Sequence, residues 1–366
     1  MTETVRDARA DHWVYRAPKG WRPYLQLARY DRPVGYWLLA LPGWIGLAFA
    51  SLSHNLVWLD LKWAALIFMG AVAMRGAGCT YNDIVDRDLD AQVARTALRP
   101  VPAGTVTLKQ AWMWLLIQCF VGLLVLLALP DFAQIVALCS IPLVAAYPFM
   151  KRITWWPQVW LGLTFNWAVL VAYAIKTGTF GPAVGVLYIG LMFWTVGYDT
   201  IYACQDVEDD ALVGIKSTAR LFGLRIRRGI CISYFLSVAF ITFAVTQSGR
   251  YHNSPCGEHI FNHWTWGELL NFHRAYIETI WYLAFSVSLF ALHLFFQIYL
   301  FSGMKTGRNL ALFKSNKWAG LSLVVTLYLC AVFIPALEED PAPCQYTNTG
   351  RLELLNENEY TPITSK

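Results

Sequence analysis

Two short acidic stretches carry the residue types best suited to chemistry. The first runs Asn82-Asp83-Ile84-Val85-Asp86-Arg87-Asp88-Leu89-Asp90. The second runs Asp206-Val207-Glu208-Asp209-Asp210, with Tyr198-Asp199 just ahead of it. Asp83, Asp86 and Asp90 are spaced 3, 4 and 7 residues apart, and Asp206 and Asp210 are 4 apart, so on a helix each set shares one face. Carboxylates that close raise one another's pKa unless a cation holds them. Their hard oxygens suit Mg²⁺, which takes few carboxylates and binds a substrate's phosphates. Asp83 precedes Asp206 by 123 residues and Asp86 precedes Asp210 by 124. Two clusters so matched are expected to face one cavity and clamp a diphosphate through metal. A solvated acidic loop, offset by nearby Lys and Arg, explains one such cluster more easily than two.

Cations accompany the acids. Arg95 and Arg99 follow the first cluster, Lys216 follows the second, and Lys151-Arg152 forms a third basic point ahead of Trp155-Trp156. Lys and Arg can share a diphosphate's charge and stabilise it as a leaving group. Arg75 stands apart: it lies within an apolar stretch, seven residues before Asn82 and therefore on the same helix face. Tyr198 and Tyr202 flank the second cluster, where a π face can stabilise a carbocation.

The elements that hold these residues follow from composition. Of 366 residues 57% are hydrophobic and 14% charged, against roughly 25% charged in soluble domains. That excludes a disordered chain, a disulfide scaffold and an ordinary soluble enzyme. Windows without acidic or basic residues run 33–59, 110–130, 132–150, 153–175, 177–198, 229–249, 279–304 and 318–337. Each is close to the roughly 20 residues a spanning helix needs. A ninth stretch, 62–82, is interrupted by Arg75 and ends in the acidic cluster. The expectation is an all-α polytopic membrane protein with nine transmembrane helices around a central cavity, the acidic clusters lying in the loops beyond the second and sixth spans. With nine spans, 23 of the 29 Lys and Arg fall on one side, the side that faces the cytosol or a mitochondrial matrix. This asymmetry accounts for the net charge of +5 without nucleic acid.

The chain divides into an N-terminal segment (1–32), a membrane domain (33–337) with an insertion near 248–275, and a tail (338–366). No signal peptide is expected. Arg6, Arg9 and Arg16 suit a mitochondrial transit peptide, but Glu3, Asp7 and Asp11 do not. Cys256 and Cys344 are the two cysteines outside the expected spans; in an oxidising lumen they can pair, or they are two unrelated loop thiols.

The chain resembles the UbiA superfamily of intramembrane prenyltransferases, the 4-hydroxybenzoate polyprenyltransferase type in particular. The resemblance is carried by Arg75-Gly-Ala-Gly-Cys-Thr-Tyr-Asn82-Asp-Ile-Val-Asp86-Arg-Asp-Leu-Asp90, by Arg95-Thr-Ala-Leu-Arg99-Pro, by Tyr147-Pro-Phe-Met-Lys151-Arg152 with Pro157-Gln158, and by Tyr198-Asp199-Thr-Ile-Tyr202 with Gln205-Asp206-Val-Glu-Asp209-Asp210 and Lys216-Ser-Thr. It covers about residues 24–230. It implies Mg²⁺-dependent transfer of a prenyl group from a prenyl diphosphate to an aromatic acid within the lipid bilayer. It assigns Asn82, Asp83, Asp86, Asp90, Asp206 and Asp210 to the metal and diphosphate. Of these, Asp83, Asp86, Asp206 and Asp210 are the catalytic candidates. It makes Arg75, Arg95, Arg99 and Lys216 diphosphate partners and gives the acceptor's carboxylate to Arg152. Tyr198, Asp199 and Tyr202 complete the expected substrate contacts.

The insertion, the tail and the poor transit peptide favour a meroterpenoid enzyme of the endoplasmic reticulum. It would join a farnesyl-like chain to a hydroxybenzoic or orsellinic-type acid. The alternative is the ubiquinone-pathway 4-hydroxybenzoate polyprenyltransferase of the mitochondrial inner membrane. A transporter would spread charge along several helix midplanes. Here the charge gathers at one face, which also leaves a non-catalytic membrane scaffold as the weaker reading.

Overall fold

The computed structural model describes residues 12–54, 58–92, 96–248, 285–303 and 307–333, together with two short strands. A short helix α1 (Arg22–Leu27) leads into α2 (Val34–Ala50), α3 (Leu59–Asp90) and α4 (Leu108–Leu127). Next come α5 (Asp131–Leu138), α6 (Ile141–Ile153), α7 (Pro157–Thr177) and α8 (Pro182–Ala203). Two short helices, α9 (Val207–Val213) and α10 (Thr218–Phe222), precede α11 (Ile226–Gln247). The series ends with α12 (Phe285–Leu300) and α13 (Arg308–Phe333). In the tail, β1 (Cys344–Tyr346) pairs antiparallel with β2 (Leu352–Leu354), Cys344 opposite Leu354.

Seven helical segments are long and apolar enough to cross a membrane, with α5 and α6 acting as one and α10 joined to α11. Helices α2 and α12 are apolar but shorter, and a count of nine spans includes both. The fold is the expected all-α membrane bundle. The Cys256–Cys344 pairing and the 248–275 insertion lie outside the described residues and side chains.

Local sequence sets the helix boundaries. A capping box opens α4: Thr107 Oγ1 accepts from Gln110 N at 3.3 Å, and Gln110 Oε1 accepts from Thr107 N at 2.9 Å. Pro157 and Pro182 open α7 and α8, where a missing N–H costs no helical bond. Gly178 ends α7 at φ 67°. The 132–150 window is split at Cys139–Ser140, because Pro142 cannot continue the hydrogen-bond ladder from α5.

The side chains of Leu116, Phe120 and Leu124 on α4 are exposed, an apolar surface suited to lipid. Inside, small residues let helices approach closely. A Cβ on Gly46 of α2 would stand 2.6 Å from the Val169 carbonyl of α7, and one on Gly320 of α13 would stand 2.7 Å from Leu41 and 2.8 Å from Trp194. A buried polar network joins the later helices. Trp194 donates to Asn316 Oδ1 at 2.9 Å, Tyr234 donates to Gln297 Oε1 at 2.5 Å, and Gln297 donates to Ser315 Oγ at 3.0 Å. At the end of α3 remote from the acidic cluster, Lys176 of α7 donates to Asp60 and to Ser51, each at 2.6 Å, and both members of the ion pair are buried.

One boundary departs from expectation. The first acidic cluster is the last two turns of α3 itself, not the loop beyond it. The 32-residue helix continues through Arg75 because its charged face turns toward a polar mouth rather than lipid.

Candidate active site

Asp83 and Asp86, both fully buried, sit near the end of α3. Asp83 accepts two hydrogen bonds from Arg29 Nη2, at 2.7 and 3.0 Å, and one from Arg99 Nη1 at 3.2 Å. Arg29 closes α1. Tyr30 N bonds to Leu25 O at 3.0 Å and Arg29 N to Gln26 O at 2.9 Å, the two bonds of a Schellman cap. The cap needs a left-handed residue, and Arg29 fills it at φ 58° where glycine is usual. A non-glycine residue there costs of order 1 kcal/mol, and the salt bridge to Asp83 offsets that cost. Burial pulls the Arg29 pKa down. Asp83 first, then Cys79, Asp31 and Asp90, more than reverse this and hold it above the ordinary arginine value.

The remaining carboxylates of the first cluster are also paired. Asp90 accepts from Arg99 Nη1 at 2.5 Å. Asp86 accepts from Lys151 and, at 2.8 Å, from Arg152 Nη2, both from the end of α6. Arg152 also reaches the Val85 carbonyl at 3.4 Å. So Arg152 and Lys151 hold Asp86. The Arg152 guanidinium stands outside the lining of the cavity described below.

The second cluster lies on the same end of the bundle. Asp206 occupies the position before α9, Asp210 falls one turn in, and Gly214 ends the helix at φ 77°. The segment after α9 is tied to the α6–α7 corner. Lys216 N donates to Lys151 O at 2.9 Å, Lys216 Nζ to Ile153 O at 3.1 Å, and Thr218 N to Gln158 Oε1 at 3.0 Å. A continuous path of contacts therefore runs from Asp86 through Lys151 to Lys216. Arg220 caps the Asp210 carbonyl at 3.3 Å and lies over the Trp155 ring at 5.4 Å.

Below this charged mouth opens a cavity of about 490 Å³. Arg75, Asn82, Asp83, Arg99, Tyr198, Asp199 and Tyr202 line it together, seven of the residues expected from the sequence. Asp86, Asp90, Arg152, Asp206, Asp210 and Lys216 stand around its mouth or beyond rather than on its wall, and Arg95 lies outside the described residues. Arg75 is the most informative lining residue. Its Nε is buried and has no hydrogen-bond partner. The guanidinium is packed between Gly35, where a Cβ would stand 2.6 Å from Nε, and the Phe165 ring at 5.3 Å. Gly35 is what makes room for this cation. A buried guanidinium with an unused donor suits an anionic ligand.

Sequence reasoning missed Arg29, Tyr147, Phe165 and Lys314, all on the cavity wall. The run Arg29-Tyr30-Asp31-Arg32 was visible as charge ahead of the first span but is indistinguishable there from ordinary positive-inside decoration. Lys314 was lost because the charge-free window starts at 318, whereas α13 starts at Arg308 and carries Leu310, Phe313 and Lys314 into the wall. The Phe313 ring lies 4.6 Å from Tyr202 and 5.9 Å from Tyr198.

Among the described residues no three His, Cys, Asp or Glu side chains converge as they would around an ion. The donor chemistry nevertheless fits a hard divalent cation: carboxylates and the Asn82 amide gather at the mouth. Each first-cluster carboxylate now faces an Arg or Lys that a bound polyanion would attract.

A sequence profile of the UbiA prenyltransferase family matches residues 39–256. The chain is 44% identical over 240 residues to the mitochondrial 4-hydroxybenzoate polyprenyltransferase of Mus musculus, across 65% of this chain and 63% of that one. It is 46% identical over 207 residues to 4-hydroxybenzoate geranyltransferase 1 of Lithospermum erythrorhizon, across 56% of this chain and 66% of that one. The match thus spans under two thirds of either relative's length. Among solved structures, the apo UbiA homolog of Aeropyrum pernix K1 superposes with a TM-score of 0.58 at 20% identity, covering 82% of this chain and 98% of that one. A UbiA homolog of Archaeoglobus fulgidus bound to GPP and Mg²⁺ gives 0.56 at 17% identity, covering 85% and 99%. At such identities the likeness is one of fold.

Proposed function

The chain belongs to the UbiA prenyltransferase family, and we propose that it transfers a prenyl group from an allylic diphosphate to a ring carbon of 4-hydroxybenzoate. The observation that carries this reading is the arrangement of the mouth. Buried carboxylates and four cations stand at the polar end of an apolar cavity that also contains the Arg75 guanidinium, whose buried Nε has no hydrogen-bond partner.

In the reaction the bond between C1 of the donor and its diphosphate oxygen breaks, and the diphosphate leaves with the electron pair. The ring carbon ortho to the phenol attacks C1, and the ring then loses its proton. Asn82, Asp83, Asp86, Asp90, Asp206 and Asp210 are the residues that would hold Mg²⁺, which when bound would supply positive charge against the leaving group. Arg29, Arg99, Lys151 and Lys216 add to that charge and fix the diphosphate at the mouth. Tyr198 and Tyr202 present rings to the cavity, which can stabilise the allylic cation. Burial keeps water from trapping it. Arg75, on the cavity wall with a buried Nε that has no hydrogen-bond partner, takes the acceptor's carboxylate in place of Arg152, which stands outside the cavity lining.

The named relatives support 4-hydroxybenzoate over an orsellinic-type acceptor. The word mitochondrial in their names supports the mitochondrial inner membrane over the endoplasmic reticulum. Nothing found singles out meroterpenoid biosynthesis. The test is to incubate membranes containing the protein with Mg²⁺, geranyl, farnesyl and nine-unit diphosphates, and 4-hydroxybenzoate or orsellinic acid. Mass spectrometry should detect the sum of donor and acceptor less diphosphoric acid, with 4-hydroxybenzoate as the preferred acceptor. Absence of that mass with every pair sinks the reading.

A further inference from the structure

Close glycine contacts in this bundle mostly serve apolar packing. Gly43 and Gly190 make room for isoleucines, Gly197 for Tyr234 and Gly229 for Phe222. Gly35 differs. Among the described residues it is the one glycine whose space is taken by a charged side chain. A Cβ there would stand 2.6 Å from Arg75 Nε, 3.2 Å from Nη2 and 3.3 Å from Cζ, and these are its three nearest atoms. The guanidinium also has Phe165 as a neighbour, with Cζ 5.3 Å from the ring centroid and within cation–π range. Gly35 of α2, Arg75 of α3 and Phe165 of α7 all line the cavity. An arginine has a flexible stem and a rigid fork of donors. Here three helices pin that fork, and its buried Nε has no hydrogen-bond partner.

We propose that Gly35 and Phe165 are positioning residues: they fix the Arg75 guanidinium for a carboxylate, and so make the cavity select an aromatic acid over a neutral aromatic of the same shape. This rests on the prenyl-transfer reading above. Arg75 and Asp83 are eight residues apart on α3, about 12 Å along the helix. A diphosphate held at Asp83 and Arg99 therefore leaves Arg75 to a second anionic group. Arginine binds a carboxylate best with two N–H donors side by side, so the orientation of the fork decides the affinity. Gly35 controls that orientation. A methyl group at position 35 forces the guanidinium back by roughly 1 Å to reach an ordinary contact of about 3.5 Å. The side chain yields before the helix does, because Trp44 Nε1 ties α2 to the Ala64 carbonyl of α3 at 2.9 Å.

The experiment measures equilibrium binding of 4-hydroxybenzoate and of 4-hydroxybenzamide, its neutral isostere, to the full chain in lipid nanodiscs by calorimetry, without donor. Wild type should bind the acid at least ~10-fold more tightly than the amide. Gly35→Ala should weaken acid binding at least ~5-fold through misplacement of the fork, and leave amide binding within about twofold. Phe165→Leu should weaken acid binding ~3-fold with the amide again unmoved, and it decides the matter if the alanine variant does not accumulate. In an Arg75→Ala background, Gly35→Ala should change acid binding by less than about twofold, because the contacted atoms are gone. Equal weakening of acid and amide in both variants, no change in either, or a Gly35→Ala effect that survives without Arg75 overturns the proposal. A wild type that binds acid and amide alike overturns it too. The same nanodiscs are then given geranyl, farnesyl and nine-unit diphosphates with Mg²⁺. Selective acid binding with no product from any donor removes the prenyl-transfer reading and leaves the carboxylate slot standing.

Discussion

Asp83→Asn tests the ionic architecture of the mouth most directly. The carboxylate is fully buried and receives three hydrogen bonds from two guanidinium groups. Asparagine keeps the shape but removes the charge, and its amide N–H groups then face N–H groups of Arg29 or Arg99. Removing one partner of a buried pair costs about 3–5 kcal/mol because the other charge stays buried. Arg29 and Arg99 retain side-chain exposures of 12% and 22%. Water thus partly screens the orphaned cations, and the expected cost is the low end, ~3 kcal/mol. Arg29→Met should cost a comparable amount, and the double variant less than the sum, leaving a coupling of ~2 kcal/mol. Reversible unfolding in mixed detergent micelles, followed by circular dichroism, gives the four free energies without depending on turnover. Singles that add to within ~0.5 kcal/mol of the double would refute the claim that this pair holds α1 against α3.

Other outcomes follow from named contacts. Arg75→Met should raise KM for the aromatic acid roughly 10- to 100-fold, the equivalent of about 1.5–3 kcal/mol for a hydrogen bond to a charged group, while KM for the donor stays within about twofold. Steady-state kinetics with each substrate varied decides between Arg75 and Arg152 as the carboxylate site. Chelation with EDTA should abolish turnover, and added Mg²⁺ should restore it, whereas Ca²⁺, with longer and more flexible coordination, should restore little. Lys176→Met should destabilise the bundle by about 3 kcal/mol by stranding Asp60, and Lys176→Met with Asp60→Asn should recover most of that loss. Because Asp60 and Asp83 are 23 residues apart on one helix, about 35 Å, KM values should not move in either variant.

Much of this was legible in the sequence because lipid imposes simple rules. Apolar windows locate the spans, and charge inside one marks a cavity-lining position, as Arg75 does. Helical spacing also put Asn82 on one face with Arg75, and both line the cavity. What spacing could not supply was pairing across the bundle. Asp86 and Lys151 are 65 residues apart in sequence, and nothing local to either announces the contact. Helix ends were the other gap. Charges at a polar mouth cost little, so α3 and α13 run well past the charge-free windows that marked them. Lys314 was hidden for that reason. The left-handed cap at Arg29 defeats sequence reading differently: glycine normally signals such a turn, and here the ion pair with Asp83 stabilises an arginine in its place.

The position of Leu310, Phe313 and Lys314 on α13 has a consequence for biogenesis. Part of the pocket wall belongs to α13, the last long apolar helix among the described residues, so the helices before it alone leave the chamber open on that side during insertion. Asn316, Ser315 and Thr326 of α13 bond to Trp194, Gln297 and the Ser286 carbonyl, so several hydrogen bonds inside hydrocarbon hold the arriving segment in register. Closure of the cavity wall thereby waits until the segment Arg308–Phe333 has been made.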